Sequence, residues 1–497
     1  MADFVGWLNG IIWSNALVVL CLLAGIYFSI RTRFSQVRHL KEMVKLLFSG
    51  EKSAEGISSF QALCTALAGR IGTGNIAGVA TAIAWGGPGA LFWMWVIAFL
   101  GAGSAFAESA LAQIYKEDDD GQYRGGPAYY IEKGMGNTGF SKFYGLLFAV
   151  VTVIAVGLLL PGVQSNSIAS GMNTAFGVDT KIMAAVLVAI LALIIFGGIK
   201  RISQVAELIV PFMGGLYILA AVVIIVVNIS QVPAILSLIF KSALNMDATF
   251  GGIIGSTIAW GVKRGIYSNE AGQGTGPQAA AAAEVSHPAK QGLVQAFSVY
   301  VDTLFVCSAT GFMILMTGSY NVGIEGTEPV KYLVENMPGV EVGPAYTQAA
   351  LDKLLPGTGF GAGFVAIALF FFAFTTIMAY YYIAEVNIVY LSKKLNSKSL
   401  KPILTNILRV VLLAAVAFGC IADGGLAWTM GDIGVGAMAW LNIIAILILS
   451  NIAMKCFNDY ESKLKQGIPR DEITFNPVEL GIKGADFWEK KIGNKAK

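Results

Sequence analysis

Two glycine-rich, polar stretches interrupt otherwise apolar helical segments, one in each half of the chain: GRIGTGNIAG from Gly69 to Gly78, and GVKRGIYSNEAGQGTGP from Gly261 to Pro277. Hydrocarbon tolerates unpaired backbone only where that backbone lines a protein cavity. A pair of broken membrane helices in corresponding positions therefore marks a buried site between two halves, the arrangement found in secondary transporters.

The rest of the chain belongs in a bilayer. Hydrophobic residues make up 56% of its 497 positions and charged residues only 13%, against about 25% charged in a soluble globule. The net charge of +3 is small, and the basic residues fall at helix ends rather than on one face, which argues against nucleic acid. Five cysteines (Cys21, Cys64, Cys307, Cys420, Cys456) have no C-x-x-C spacing and read as inert packing residues. No basic residue precedes the first apolar run, Ile11 to Ile30, so it reads as a retained helix rather than a signal peptide.

At roughly 20 apolar residues per crossing, the expectation is an all-α polytopic membrane protein with eleven transmembrane helices. They fall near 11–30, 58–84, 88–115, 142–176, 181–198, 203–228, 248–280, 289–317, 360–391, 402–421 and 425–452. Arg31, Arg33, Arg38, Lys41 and Lys45 follow the first span, which places the N-terminus outside. The same alternation puts Lys116, Arg124, Lys133, Lys200, Arg201, Lys290, Lys393, Lys394, Lys398, Lys401 and the C-terminus in the cytoplasm, and the loop near 318–358 outside. The stretch 35–50 alternates basic and apolar residues at helical spacing and is expected on the inner membrane face. The final residues of the polar tail, ending in GNKAK, are expected to be mobile.

Setting the first helix aside leaves ten spans, divided five and five, each half opening on a broken helix. The expected units are 1–57 (first helix and amphipathic segment), 58–228 and 248–452 (two five-helix repeats), and a cytoplasmic tail 453–497. An odd number of crossings makes the two halves enter from opposite sides, so the repeats are inverted if they are real.

Between the breaks lies Gly86-Gly87-Pro88-Gly89-Ala90-Leu91-Phe92-Trp93-Met94-Trp95. Together with GTGNIAGVA before it and RGIYSNEAGQG in the second break, this run closely resembles the alanine or glycine:cation symporter family, over essentially the whole chain. The resemblance implies a leucine-transporter-like fold, sodium as the coupling ion, a small neutral amino acid as substrate and residence in the cell membrane. In the run itself, a Gly/Pro turn and bulky aromatics packed on small neighbours are expected to be structural.

At Gly72, Thr73, Gly74 and Asn75 the small residues let the backbone approach a ligand and free N–H groups to receive a carboxylate. Asn75 adds an amide and Thr73 a hydroxyl. Thr375 and Thr376 are the hydroxyls at mid-depth of their span. Matched to the leucine-transporter pattern, they form a sodium site with Ala68, Ile71 and Phe372; otherwise they bond back to their own helix. Trp260 and Gly261 are expected to wall the pocket, with Gln164 as a further lining residue. Lys263, Arg264 and Glu270 are placed toward the cytoplasmic exit, Arg264 with Glu270 forming either an inner gate or a static pair. Arg70 is a gate or a structural ion pair. Asp302, an intramembrane carboxylate, serves a cation, the substrate amine or a proton. Glu108, Glu207, Glu385 and Asp432 are expected to be mostly structural.

An intramembrane enzyme needs a positioned nucleophile or metal. The chain has only His39 and His287, neither in H-E-x-x-H spacing and both expected at the cytoplasmic surface. A channel lacks support from any repeated filter motif. Proton coupling and glutamine as substrate remain open variants, and oligomeric state is not readable.

Overall fold

The computed structural model describes residues 2–48, 56–327, 329–354, 360–395 and 400–495. It is helical apart from two short hairpins, Glu117–Asp118 with Tyr123–Arg124 and Asn321–Ile324 with Lys331–Glu335. In chain order the helices that frame the site are α1 (Phe4–Arg31), α2 (Leu40–Phe48), α3 (Ser59–Arg70), α4 (Val79–Gly86), α5 (Ala90–Ile114), α6 (Gly139–Phe176), α7 (Thr180–Ile195) and α8 (Ile199–Val227). The second half supplies α9 (Ile254–Asn269), α10 (Gly276–Ala282), α11 (Pro288–Thr317), α12 (Phe360–Lys394), α13 (Leu400–Ile421) and α14 (Gly424–Ile448). Among the described residues, α1, α5, α6, α8, α11, α12, α13 and α14 are long and apolar enough to cross a membrane, so the chain is a multi-pass membrane protein.

The two broken helices are α3 with α4 and α9 with α10, and they run in opposite directions. Ile57, which leads into α3, donates to Ala282 O at the end of α10 (3.0 Å) and accepts from Glu284 N just beyond it (2.9 Å). At the far end, a Cβ on Gly86 would touch Trp260 and Thr257 of α9. One end of the bundle carries the 321–335 hairpin and the other the C-terminal tail; they are the hairpin end and the tail end below.

Local chemistry sets the element boundaries. A capping box starts α3, with Ser58 Oγ accepting from Gln61 N and Gln61 Oε1 from Ser58 N, both at 3.1 Å. In α6, Pro161 offers no N–H to the turn before it, and the helix widens to a π segment over Ala155–Leu159. The GGPG turn docks on Val232–Ala243, a short helix outside the expected spans: Gly89 N donates to Ser242 Oγ (3.0 Å) and Trp93 Nε1 to Ala243 O (3.3 Å). A Cβ on Gly89 would lie 2.4 Å from Ala243 N, so the glycine permits the contact.

The tail end departs from expectation. α2 does not simply lie on the inner face. Met43 and Leu46 are buried, the helix packs on α11, and Glu42 takes hydrogen bonds from Tyr460 (2.8 Å) and Arg470. The tail folds back over the bundle, with Phe475 N donating to Ser286 O (3.1 Å) and Trp488 Nε1 to Gln113 O (2.8 Å). Helix Asp486–Lys495 takes in the start of GNKAK; residues 496–497 lie outside the described residues. That docking buries His287, expected at the surface, against Asp459 (3.0 Å), while His39 faces Glu461 (3.4 Å).

Candidate functional site

The first break is two residues wide. α3 ends at Arg70, Ile71 turns extended, and the chain re-enters through a π turn at Gly74–Gly78. Two backbone donors freed there meet side-chain amides: Gly72 N donates to Asn75 Oδ1 (2.8 Å) and Thr73 N to Gln164 Oε1 (3.0 Å). Glycine is required at 72, because a Cβ would lie 2.5 Å from Thr376 Oγ1 and 2.9 Å from Gln164 Oε1. At Gly74 a Cβ would come within 3.0 Å of Ser268 Cα, so the two broken helices touch here.

The second break lies at 270–275, not at Gly261. α9 continues unbroken to Asn269, and Glu270, Gly272 and Gly274 then take left-handed conformations (φ 55°, 79° and 90°). Glu108 and Asn442 hold this loop: Gly272 N donates to Glu108 Oε1 (3.2 Å), and Asn442 Nδ2 donates to Glu108 Oε2 (2.6 Å) and Gly272 O (2.9 Å). Glu108 is thus a positioning residue of the core, and polar residues inside the apolar runs AFAESALA and AWLNIIA were the signal for it and Asn442.

Asp302 joins the breaks. A π segment at Tyr300–Cys307 in α11 carries it, and such widened turns recur at functional sites. Its carboxylate accepts from Asn75 Nδ2 of the first break (2.6 Å), Ser268 Oγ at the end of α9 (3.0 Å to Oδ2) and Thr303 Oγ1 (2.6 Å). Cys307 is no remote packing residue, since its Sγ lies 3.3 Å from Asn75 Nδ2 and 3.2 Å from Ser268 Oγ. All five cysteines are free and buried.

On the other side of the first break, α12 presents its threonine pair. Thr376 Oγ1 lies 2.8 Å from Ala68 O, 3.3 Å from Ile71 O and 3.0 Å from Phe372 O, and Thr375 Oγ1 is 2.9 Å from Phe372 O. One hydroxyl proton cannot serve three carbonyls. Five oxygens with so few protons among them form a donor set suited to a small hard cation.

Four expectations are corrected. Trp260 and Gly261 do not wall a pocket at the break: they sit more than two turns away, toward the hairpin end. There Trp260 Nε1 donates to Glu325 Oε2 (2.7 Å), and a Cβ on Gly261 would collide with Trp93 at 2.5 Å. Gly261 therefore permits close packing on α5. Lys263 and Arg264 also face the hairpin end rather than the tail end. Arg264 pairs with Asp432 through two hydrogen bonds (2.7 and 3.0 Å), not with Glu270, whose Oε2 lies against Gly69. Arg70 Nη1 bonds Gln295 O (3.2 Å) and Ser298 Oγ, with its other nitrogen against Gly276. Glu207 accepts from Gln61 (3.0 Å) and Glu385 faces Arg124 (3.5 Å).

With this geometry in view, comparison with known proteins is decisive. The model of the sodium:alanine symporter family matches residues 1–474. YrbD of Bacillus subtilis strain 168, provisionally named a sodium/proton-dependent alanine carrier protein, is 60% identical over 497 residues, covering 100% of this chain and 99% of its own. The sodium/proton-dependent alanine carrier protein of Bacillus sp. strain PS3 is 49% identical, covering 90% and 97%. GlnT of B. subtilis strain 168, provisionally a sodium/glutamine symporter, is 43% identical, covering 98% and 96%. Sequence and comparisons agree, and the chain belongs to the sodium:alanine symporter family.

Proposed function

We propose that this protein is a secondary active transporter that imports a small neutral amino acid, alanine or glycine, with sodium through alternating access. The observation that carries the reading is the first break itself, whose residues 68–75 serve two oxygen-rich constellations at once. Sodium binds the carbonyls of Ala68, Ile71 and Phe372 and the hydroxyls of Thr375 and Thr376. The substrate carboxylate takes the N–H groups of Gly72 and Thr73, displacing the amide oxygens of Asn75 and Gln164. Gly74 keeps the second broken helix close, and Asp302 ties Asn75 to Ser268, so that both breaks respond together.

Sodium bound at Ala68 and Ile71 fixes the turn that presents Gly72 and Thr73, which makes substrate binding depend on the ion. One sodium ion crossing 100 mV supplies about 2.3 kcal/mol, and a tenfold gradient adds about 1.4 kcal/mol. Together they support several-hundred-fold accumulation of a neutral solute. The same reading takes α1 plus ten further crossings, with α7 and the two broken helices completing the eleven. It places the two halves as inverted repeats in the cytoplasmic membrane, N-terminus outside and tail inside; the opposed directions of the broken helices support this.

A proton as coupling ion is the second reading, favoured by Asp302, the buried carboxylate that touches both breaks. GlnT keeps glutamine as the alternative substrate. Uptake of labelled alanine, glycine and glutamine into proteoliposomes, driven by an imposed sodium or proton gradient, decides among them. Sodium-driven alanine uptake supports the proposal; uptake driven by protons alone overturns the sodium assignment.

A further inference from the structure

At the hairpin end a cavity of about 460 Å³ opens above the breaks, lined by Trp260, Lys263, Arg264, Trp428 and Asp432 and, nearer the mouth, by Glu325, Glu341 and Asp423. Its floor is one residue layer from the site: Trp428 packs on Tyr267 at 5.1 Å between centroids, and Tyr267 precedes Ser268. The charges are sorted by depth, with two cations on helix α9 at the floor and carboxylates from the loops at the rim.

The two cations are not equivalent. Arg264 is fixed, because it saturates Asp432 with two hydrogen bonds while its guanidinium lies over Trp428 (4.5 Å) and Trp260 (4.9 Å). Lys263 adds a second positive charge to the same carboxylate, at 2.7 Å from Asp432 Oδ2 and 4.8 Å from the Trp260 ring centroid. Two cations share one carboxylate at the floor while the other acids, Glu325, Glu341 and Asp423, stand at the rim, so Lys263 is a positive charge facing the cavity, on a side chain long enough to turn toward a ligand. Arg264 Nε, Asn9 Oδ1 and Ser167 Oγ are buried here without a hydrogen-bond partner, and Arg264 is 1% exposed. Buried polar atoms without partners mark a place where water or ligand belongs.

We propose that this cavity is a docking subsite for the incoming amino acid zwitterion, separate from the site at the breaks. Lys263 takes the carboxylate, and Glu325, Glu341 and Asp423 face the ammonium. The molecule therefore approaches carboxylate first, the orientation in which the N–H groups of Gly72 and Thr73 receive it. Arg264 stays on Asp432 throughout, so Lys263 moves without leaving that acid unpaired. The inference rests on the proposed amino acid transport and adds to it a second place where the substrate is held.

The test is alanine uptake into proteoliposomes by the full chain, wild type and variants. Lys263→Gln is expected to raise the KM for alanine about tenfold, the loss of one charge-assisted hydrogen bond, with Vmax little changed, and Lys263→Arg to restore KM. External propionate, which has the carboxylate but no amine, is expected to inhibit wild-type uptake competitively and to lose that effect in Lys263→Gln. An unchanged KM in Lys263→Gln, a loss of Vmax alone, or equal propionate inhibition in both proteins overturns the subsite. Should Lys263→Gln fail to fold, absence of competitive propionate inhibition in the wild type overturns it equally. Wild-type protein without amino acid uptake would sink the transport reading, whereas uptake indifferent to Lys263 and propionate would sink the subsite alone.

Discussion

Thr376 is the side chain on which the ion site turns, and its replacement separates a ligand from a packing residue. Its hydroxyl stands within 3.3 Å of three carbonyls, Ala68 O, Ile71 O and Phe372 O, and in the proposed sodium site it is one of five oxygens. Thr376→Ala removes that oxygen and leaves a methyl-sized gap. A hydrogen bond to a charged group is worth about 1.5–3 kcal/mol, so the sodium concentration for half-maximal alanine uptake should rise roughly 10- to 150-fold. Thr376→Ser keeps the oxygen and loses only the methyl group, and should stay within about threefold of wild type. The assay is the sodium dependence of initial uptake rates in proteoliposomes at saturating alanine. Equal damage by serine and alanine would show that the methyl packing matters, and an unchanged sodium requirement in Thr376→Ala would refute the ion site.

Three further outcomes follow from other contacts. Asp302→Asn sets an amide NH2 among the donors of Asn75, Ser268 and Thr303, and should lower alanine uptake at least about tenfold while the protein still elutes as a single species; undiminished uptake would remove Asp302 from the site. Gly261→Ala puts a Cβ 2.5 Å from Trp93 Cβ and should lower the yield of folded protein and its melting temperature, with KM for alanine unchanged in the fraction that folds; a raised KM at normal stability would restore Gly261 to the pocket. Burial pushes the His287 imidazole at the tail end from the usual 6.5 down to about 4, the Asp459 hydrogen bond only partly opposing it. Between these values the undocked form binds a proton that the docked form refuses, so tail docking is at full strength above pH 6.5 and weakens as pH falls toward 4. Hydrogen exchange across 470–495 should accelerate over that window in wild type and not in His287→Gln, and a flat profile in wild type would contradict it.

The first break was legible because its information is local. A run of Gly72, Thr73, Gly74 and Asn75 inside an apolar helix has little other use, and the threonine pair followed once the resemblance supplied a partner helix. The second break was drawn too wide at its start, because glycine in a membrane helix has two meanings: Gly261 permits contact with α5, whereas Gly272 and Gly274 supply the positive φ of the turn. That misplacement carried Lys263 and Arg264 to the wrong end of the bundle. Pairings such as Arg264 with Asp432, or Glu108 with Asn442 and Gly272, join residues far apart in sequence, and only tertiary packing selects among the candidate acids. The tail's docking was hidden for a related reason: its apolar anchors, Ile473, Phe475, Ile482 and Trp488, are spread through a polar stretch with no helical period.

The central claim is that one broken helix carries both the ion and the substrate site, so each should tighten the other. The direct measurement is equilibrium binding of labelled alanine to the detergent-solubilised protein in sodium and in potassium at equal ionic strength. Sodium is expected to tighten alanine binding about tenfold or more, with alanine tightening sodium by the same factor, as linkage requires. Equal alanine affinity in the two salts would contradict the shared site.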